Sequence, residues 1–71
     1  MTSVEMEIVQ YLKQNRDGFC ARKEIARRAR GRAEFEEDPH WAAAPLNSLV
    51  GQGIVVQNEN GHYQLSPKFD G

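Results

Sequence analysis

The chain has 71 residues, 39% hydrophobic and 27% charged, and a formal net charge of −1. A chain of this length forms one domain and has little buried surface to spare for a catalytic cavity, so no enzyme is expected. The single cysteine, Cys20, excludes an internal disulfide, and no apolar run reaches the ~18 residues of a membrane span. The opening Met1-Thr2-Ser3-Val4-Glu5 carries neither a basic nor an apolar leader, and with the lone cysteine this gives a cytoplasmic expectation.

The first helix is announced by Thr2-Ser3-Val4-Glu5, the spacing of a capping box. Val4, Ile8, Tyr11 and Leu12 then recur on one helical face, and the turn residues Asn15-Arg16-Asp17-Gly18 end it. Phe19-Cys20-Ala21 reads as a minimal strand. A second helix is predicted over 22–30, with Gly31 just past its end and Ile25, Ala26 and Ala29 as its buried stripe. The acidic stretch that follows reads as a solvated loop. Asp38-Pro39 fits a helix start, yet Pro45 would break a continuous helix. Two arrangements remain: a kinked helix over 39–50, or a turn at 39–43 and a new helix with Pro45 at its first position. Leu46, Leu49 and Val50 face the core in both, while Asn47 and Ser48 face out. Ile54-Val55-Val56-Gln57 and His62-Tyr63-Gln64-Leu65 are strands joined by Asn58-Glu59-Asn60-Gly61, with Asn60-Gly61 the strongest turn signal. Alternation places Tyr63 and Leu65 inward with Ile54 and Val56. Ser66-Pro67 stops the second strand, giving a domain over 1–66 and a tail over 67–71, in which Phe69 either tucks back or frays.

Charge is distributed unevenly along this framework. Residues 22–32 hold Arg22, Lys23, Arg27, Arg28, Arg30 and Arg32 against one acid, Glu24. Residues 33–38 hold Glu34, Glu36, Glu37 and Asp38 and no base. On a continuous helix Lys23, Arg27 and Arg30 form a ridge at i, i+4 and i+7, and Glu24 pairs with Arg28 on the other flank. The alternative is that these side chains are simply a solvated face.

The element order resembles the winged helix-turn-helix family. The resemblance rests on Glu24-Ile25-Ala26 in the second helix and on Leu46, Leu49 and Gly53-Ile54 leading into Gly61-His62-Tyr63-Gln64-Leu65. It runs from about Val4 to Leu65 and is carried by apolar spacings and glycines. The implied fold class is α+β: a three-helix bundle with a C-terminal β-hairpin wing. The implied function is a non-enzymatic nucleic-acid-binding module, duplex DNA first, with a role in transcription regulation. Lys23, Arg27, Arg30 and Arg32 would contact phosphates, and His40, Asn47, Ser48 and Gln52 would approach base edges. Two features depart from the family pattern. Neither the segment from Pro39 to Gly53 nor the turn Asn58–Gly61 contains Lys or Arg, and the acidic stretch precedes the expected reading helix, where it would repel phosphate.

The alternative function is a protein-interaction module using the opposed basic and acidic surfaces, with Trp41 as anchor. If the helix breaks at Pro45, Trp41 instead folds in to enlarge the core. A state of monomer or weak dimer is expected. Cys20 is either a thiol activated by nearby arginines or a small buried hydrophobe. His40 and His62 lack companion ligands, so no metal or cofactor is expected, and no catalytic motif is present.

Overall fold

The computed structural model describes residues 2–69. They form a small α+β domain of four helices and one antiparallel hairpin: α1 (Ser3–Gln14), α2 (Arg22–Arg28), α3 (Arg32–Glu37), α4 (Ala43–Gly51), β1 (Val55–Gln57) and β2 (Tyr63–Leu65). The three-helix expectation is therefore short by one, because the acidic stretch is helical rather than a loop. Asp70 and Gly71, the end of the expected tail, lie outside the described residues.

The helix termini are set by local chemistry. At α1 the capping box forms in full: the Glu5 amide donates to Thr2 Oγ1 at 3.1 Å, and the Thr2 amide donates to Glu5 Oε1 at 2.8 Å. Helix α2 stops at Arg28, two residues earlier than the pattern suggests, with Ala29 as its cap. Gly31, at φ 115°, redirects the chain into α3. Asp38 ends α3 rather than starting the next helix. Its amide donates to the Glu34 carbonyl, and its Oδ1 accepts from the His40 amide. A turn follows, in which the Trp41 amide donates to the Asp38 carbonyl, and α4 then starts at Ala43. Pro45 is the third helical residue. Its missing N–H is one of the first-turn donors with no intrahelical partner, so no backbone bond is lost. The broken arrangement is the observed one, with Pro45 two positions further in than expected.

The end of α4 corrects the expected strand faces. Gly53, at φ 78°, sends its amide to the Val50 carbonyl, and the Ile54 amide bonds the Leu49 carbonyl. This pair of bonds is a Schellman motif, and it makes Ile54 part of the helix end rather than of the strand. Strand β1 therefore starts one residue later, and Val55, not Ile54 or Val56, is buried. Val55 pairs with Leu65, and Gln57 with Tyr63. The loop is not a two-residue Asn60-Gly61 turn. The Gly61 amide bonds the Asn58 carbonyl, Gly61 takes φ 78°, and the Asn58 amide reaches the His62 carbonyl. This is a three-residue loop ending in a left-handed glycine. Asn58 Oδ1 holds it by accepting from the Asn60 and His62 amides.

On its other side β2 exchanges two backbone bonds with Cys20, at 2.7 and 2.8 Å, so the segment after α1 docks on the hairpin as a one-residue strand. Ile8, Leu12, Ile25, Leu46, Leu49, Val55 and Leu65 fill the centre. Each fully buried aliphatic side chain contributes roughly 1.5–3 kcal/mol. Helix α1 lies against α2, α4 and β2, whereas α3 packs on α2. Phe69 tucks back, partly buried against the core, and its carbonyl accepts from Arg16 Nη2.

Candidate nucleic-acid interface

The basic cluster does not keep the regular ridge that helical spacing gives it. Lys23 and Arg27 lie on α2 one turn apart, both exposed. Arg30 falls beyond the end of α2, so the i+7 relation no longer applies. It turns toward α1, where its Nε lies 3.1 Å from Glu7 Oε2, and its guanidinium sits 5.5 Å from the centre of the Trp41 ring. Arg32 opens α3 and pairs with Glu36 one turn on, at 2.9 Å. Arg28 and Glu24 form the expected pair, at 3.8 Å. Among the described residues, Arg22, Lys23 and Arg27 form no ion pair.

Folding the acidic stretch into a helix separates its charges. Glu34 and Glu37, at i and i+3, share a flank with Asp38 and line a groove with Arg30 and Trp41. Glu36 lies on the other flank, held by Arg32. Phe35 sits between the two flanks. It is half-buried against the core, and Arg27 stacks over it at 5.9 Å. Helix α3 has no fully buried residue, so Phe35 is the side chain that fixes it to the domain.

Two grooves meet at Phe35 and Lys23. The larger, about 710 Å³, lies between the start of α2, the turn after α3 and the hairpin loop. Arg22, Lys23, His40 and His62 supply its cationic and imidazole groups, Gln57 and Asn60 its amides, and no carboxylate lines it among the described residues. The second, about 530 Å³, runs along α2 and α3 past Arg27, Arg28 and Arg32, with Glu36 as its acid. Together they form a cationic track with an aromatic ring at its midpoint.

The four side chains expected near base edges do not converge. His40 lies in the larger groove. Asn47, Ser48 and Gln52 are exposed on or just after α4. Gln52 Nε2 donates to Ser48 Oγ at 3.0 Å and to Glu5 Oε2 at 3.3 Å. The polar side of α4 is thus tied in part to α1. The backbone bond from Thr2, and after it the Ser48 hydroxyl, hold the Glu5 carboxyl below the ordinary value.

Trp41 is half-buried, and its Nε1 donates to the Ala26 carbonyl at 2.9 Å. That carbonyl is among the last four of α2, which have no partner within the helix. The indole therefore caps α2 from across the fold while its face carries Arg30. Cys20 is buried. Burial, and secondarily Glu24, push its thiol up rather than down, so the activated-thiol alternative is not supported. Among the described residues no group of three or more His, Cys, Asp or Glu side chains is arranged to hold a metal, and no helix is long and apolar enough to cross a membrane.

Sequence reasoning missed Phe35 and the hairpin side of the larger groove. Phe35 stands alone among charges, Arg32-Ala33-Glu34-Phe35-Glu36-Glu37, and one apolar residue has no period. An isolated aromatic in an otherwise polar stretch was the available signal. Comparison of the chain with family models, with curated proteins and with solved structures finds no match.

Proposed function

We propose that the chain is a winged helix-turn-helix module that binds nucleic acid through its backbone phosphates, with Lys23 and Arg27 as the principal contacts and Arg22 and Arg32 beside them. The element order, and the docking of the Cys20 segment on the hairpin, support the fold part of this reading. The observation that carries the function is that, among the described residues, Arg22 and Lys23 are unpaired in a groove lined by no carboxylate, with Arg27 unpaired in the adjoining groove, where Glu36 is the one acid. Unpaired cations clustered on one face are the electrostatic footprint of a phosphate surface. The segregation of Glu34, Glu37 and Asp38 to the other flank of α3 removes the repulsion that the sequence order suggested.

Entry of α4 into a duplex major groove has less support. The helix has no Lys or Arg, and Ser48 and Gln52 are engaged with each other and, through Gln52, with Glu5. The binding surface is therefore α2 with the adjoining grooves rather than α4.

Fluorescence anisotropy with labelled DNA and RNA at increasing salt tests the proposal. Affinity falls linearly on a log–log plot, and Lys23→Ala reduces the slope by about 1. Absence of binding by every duplex and single strand at low salt ends this reading. It would leave a protein-interaction module, for which the half-buried Trp41 beside Glu34, Glu37 and Asp38 offers a docking surface.

A further inference from the structure

We infer that the preferred ligand is a single strand, with one unstacked base lying against Phe35 and the flanking phosphates following the two grooves on either side of it. This rests on the phosphate-binding reading above and names its ligand class.

Three observations lead there. First, the cationic surface is a track with a ring in it. Arg22 lines the groove on one side of Phe35, Arg27, Arg28 and Arg32 line the groove on the other with Glu36 as its acid, and Lys23 and Phe35 line both. A charged groove that follows the backbone, interrupted by an aromatic side chain, is the arrangement that binds single strands, because every base offers a π-face for stacking. Second, Arg27 already stacks over Phe35 at 5.9 Å. A guanidinium in that place presents its donors to a phosphate beside a ring that lines both grooves, and a base that stacks on Phe35 takes the position over the ring that Arg27 holds in the free protein. Third, the larger groove offers the donors and acceptors that an exposed base edge requires. Gln57 and Asn60 carry amides, and His40 and His62 carry imidazoles, all lining the same space. At about 710 Å³ it falls within the range of ~300–1,000 Å³ usual for small-molecule sites. In a duplex, paired bases keep their Watson–Crick edges and their faces inside the stack.

Phe35 also anchors α3, so its removal could unfold that helix. The test therefore uses Phe35→Leu, which keeps an apolar anchor and removes the π-face, with circular dichroism confirming helix content. Binding is measured by anisotropy for a labelled oligothymidylate of about 12 nucleotides and for a mixed-sequence duplex of equal length. Wild type binds the single strand at least about tenfold more tightly than the duplex. Phe35→Leu lowers single-strand affinity about tenfold, as loss of one stacked base predicts, with the salt slope unchanged. Lys23→Ala lowers the slope instead. If Phe35→Leu binds the single strand like wild type while Lys23→Ala weakens it, phosphate binding stands and the stacking inference is lost. Tighter binding of the duplex also overturns the inference. Failure of both probes at low salt removes the underlying reading itself.

Discussion

Helices α2 and α4 are similar in length and were expected to share one task, α2 crossing the backbone and α4 reading it. They differ in where their polar side chains go. On α2 the cations Lys23 and Arg27 form no ion pair among the described residues, and Arg27 lies on Phe35. On α4 the hydroxyl of Ser48 accepts from Gln52, which also reaches Glu5. Beneath them the balance reverses. Leu46 and Leu49 of α4 are fully buried, whereas α2 contributes Ile25 and the small Ala26 to the core and a charged outer surface. One helix holds the domain together, and the other carries the surface proposed to meet a ligand.

The largest expected effect tests that division directly. Leu49→Ala deletes a fully buried side chain from α4 and costs about 2–5 kcal/mol. In a domain this small that is a large part of the total stability of ~5–15 kcal/mol. Arg27→Ala changes stability by no more than about 0.5 kcal/mol beyond the loss of its contact with Phe35, because the site is exposed. Urea unfolding followed by circular dichroism reads both. The anisotropy titration reads the opposite order for ligand affinity: Arg27→Ala weakens binding, while Asn47→Ala on α4 leaves it unchanged. Equal binding losses for the two surface variants would dissolve the comparison.

The sequence allowed α1, the core faces of α2 and α4 and the hairpin to be read because each repeats a local rule. Thr2 and Glu5 stand at capping-box spacing, and Leu46 and Leu49 at helical spacing. What escaped depends on where each helix ends and on tertiary partners. The break after Arg28 follows from Gly31 redirecting the chain, and it moved Arg30 off the expected ridge and onto Glu7 and Trp41. The Schellman motif at Gly53 shifted the β1 faces by one residue, which alternation cannot detect. The candidate site was legible in its charges, Lys23 and Arg27, but not in its shape. Its far wall, His62, Asn60 and Gln57, comes from residues 30 or more positions away in the sequence.

A smaller effect concerns the joint between the two regions. Trp41 sits in the turn that leads into α4, and its indole satisfies a terminal carbonyl of α2. Trp41→Phe keeps the aromatic face for Arg30 and leaves the Ala26 carbonyl without its donor. The expected loss is about 1 kcal/mol, the net value of one hydrogen bond, seen as a lower urea midpoint at constant m-value. In the wild type, a blue-shifted Trp41 emission that moves to the red on unfolding accompanies this packing. A solvent-like spectrum in the folded state would contradict it.

The smallest effect is electrostatic and belongs to the cap of α1 and its contact with α4. Glu5 has its carboxyl lowered, first by the Thr2 amide and then by Ser48. The proton is therefore held more weakly in the folded chain than in the unfolded one. The stabilisation is present above the ordinary glutamate value, 4.5, and is lost as pH falls through the lower folded value. Glu5→Gln removes this titration while keeping a side chain of similar shape. Its stability deficit against wild type is full at neutral pH and shrinks on the acid side of 4.5, where the wild-type carboxyl takes up its proton. Because the contact involves no residue of the cationic track, ligand affinity at neutral pH is the same in the two proteins. A fall in affinity for Glu5→Gln would show that α4 and its polar side chains take part in binding after all, and would restore to α4 the reading role that its bond to Glu5 argues against.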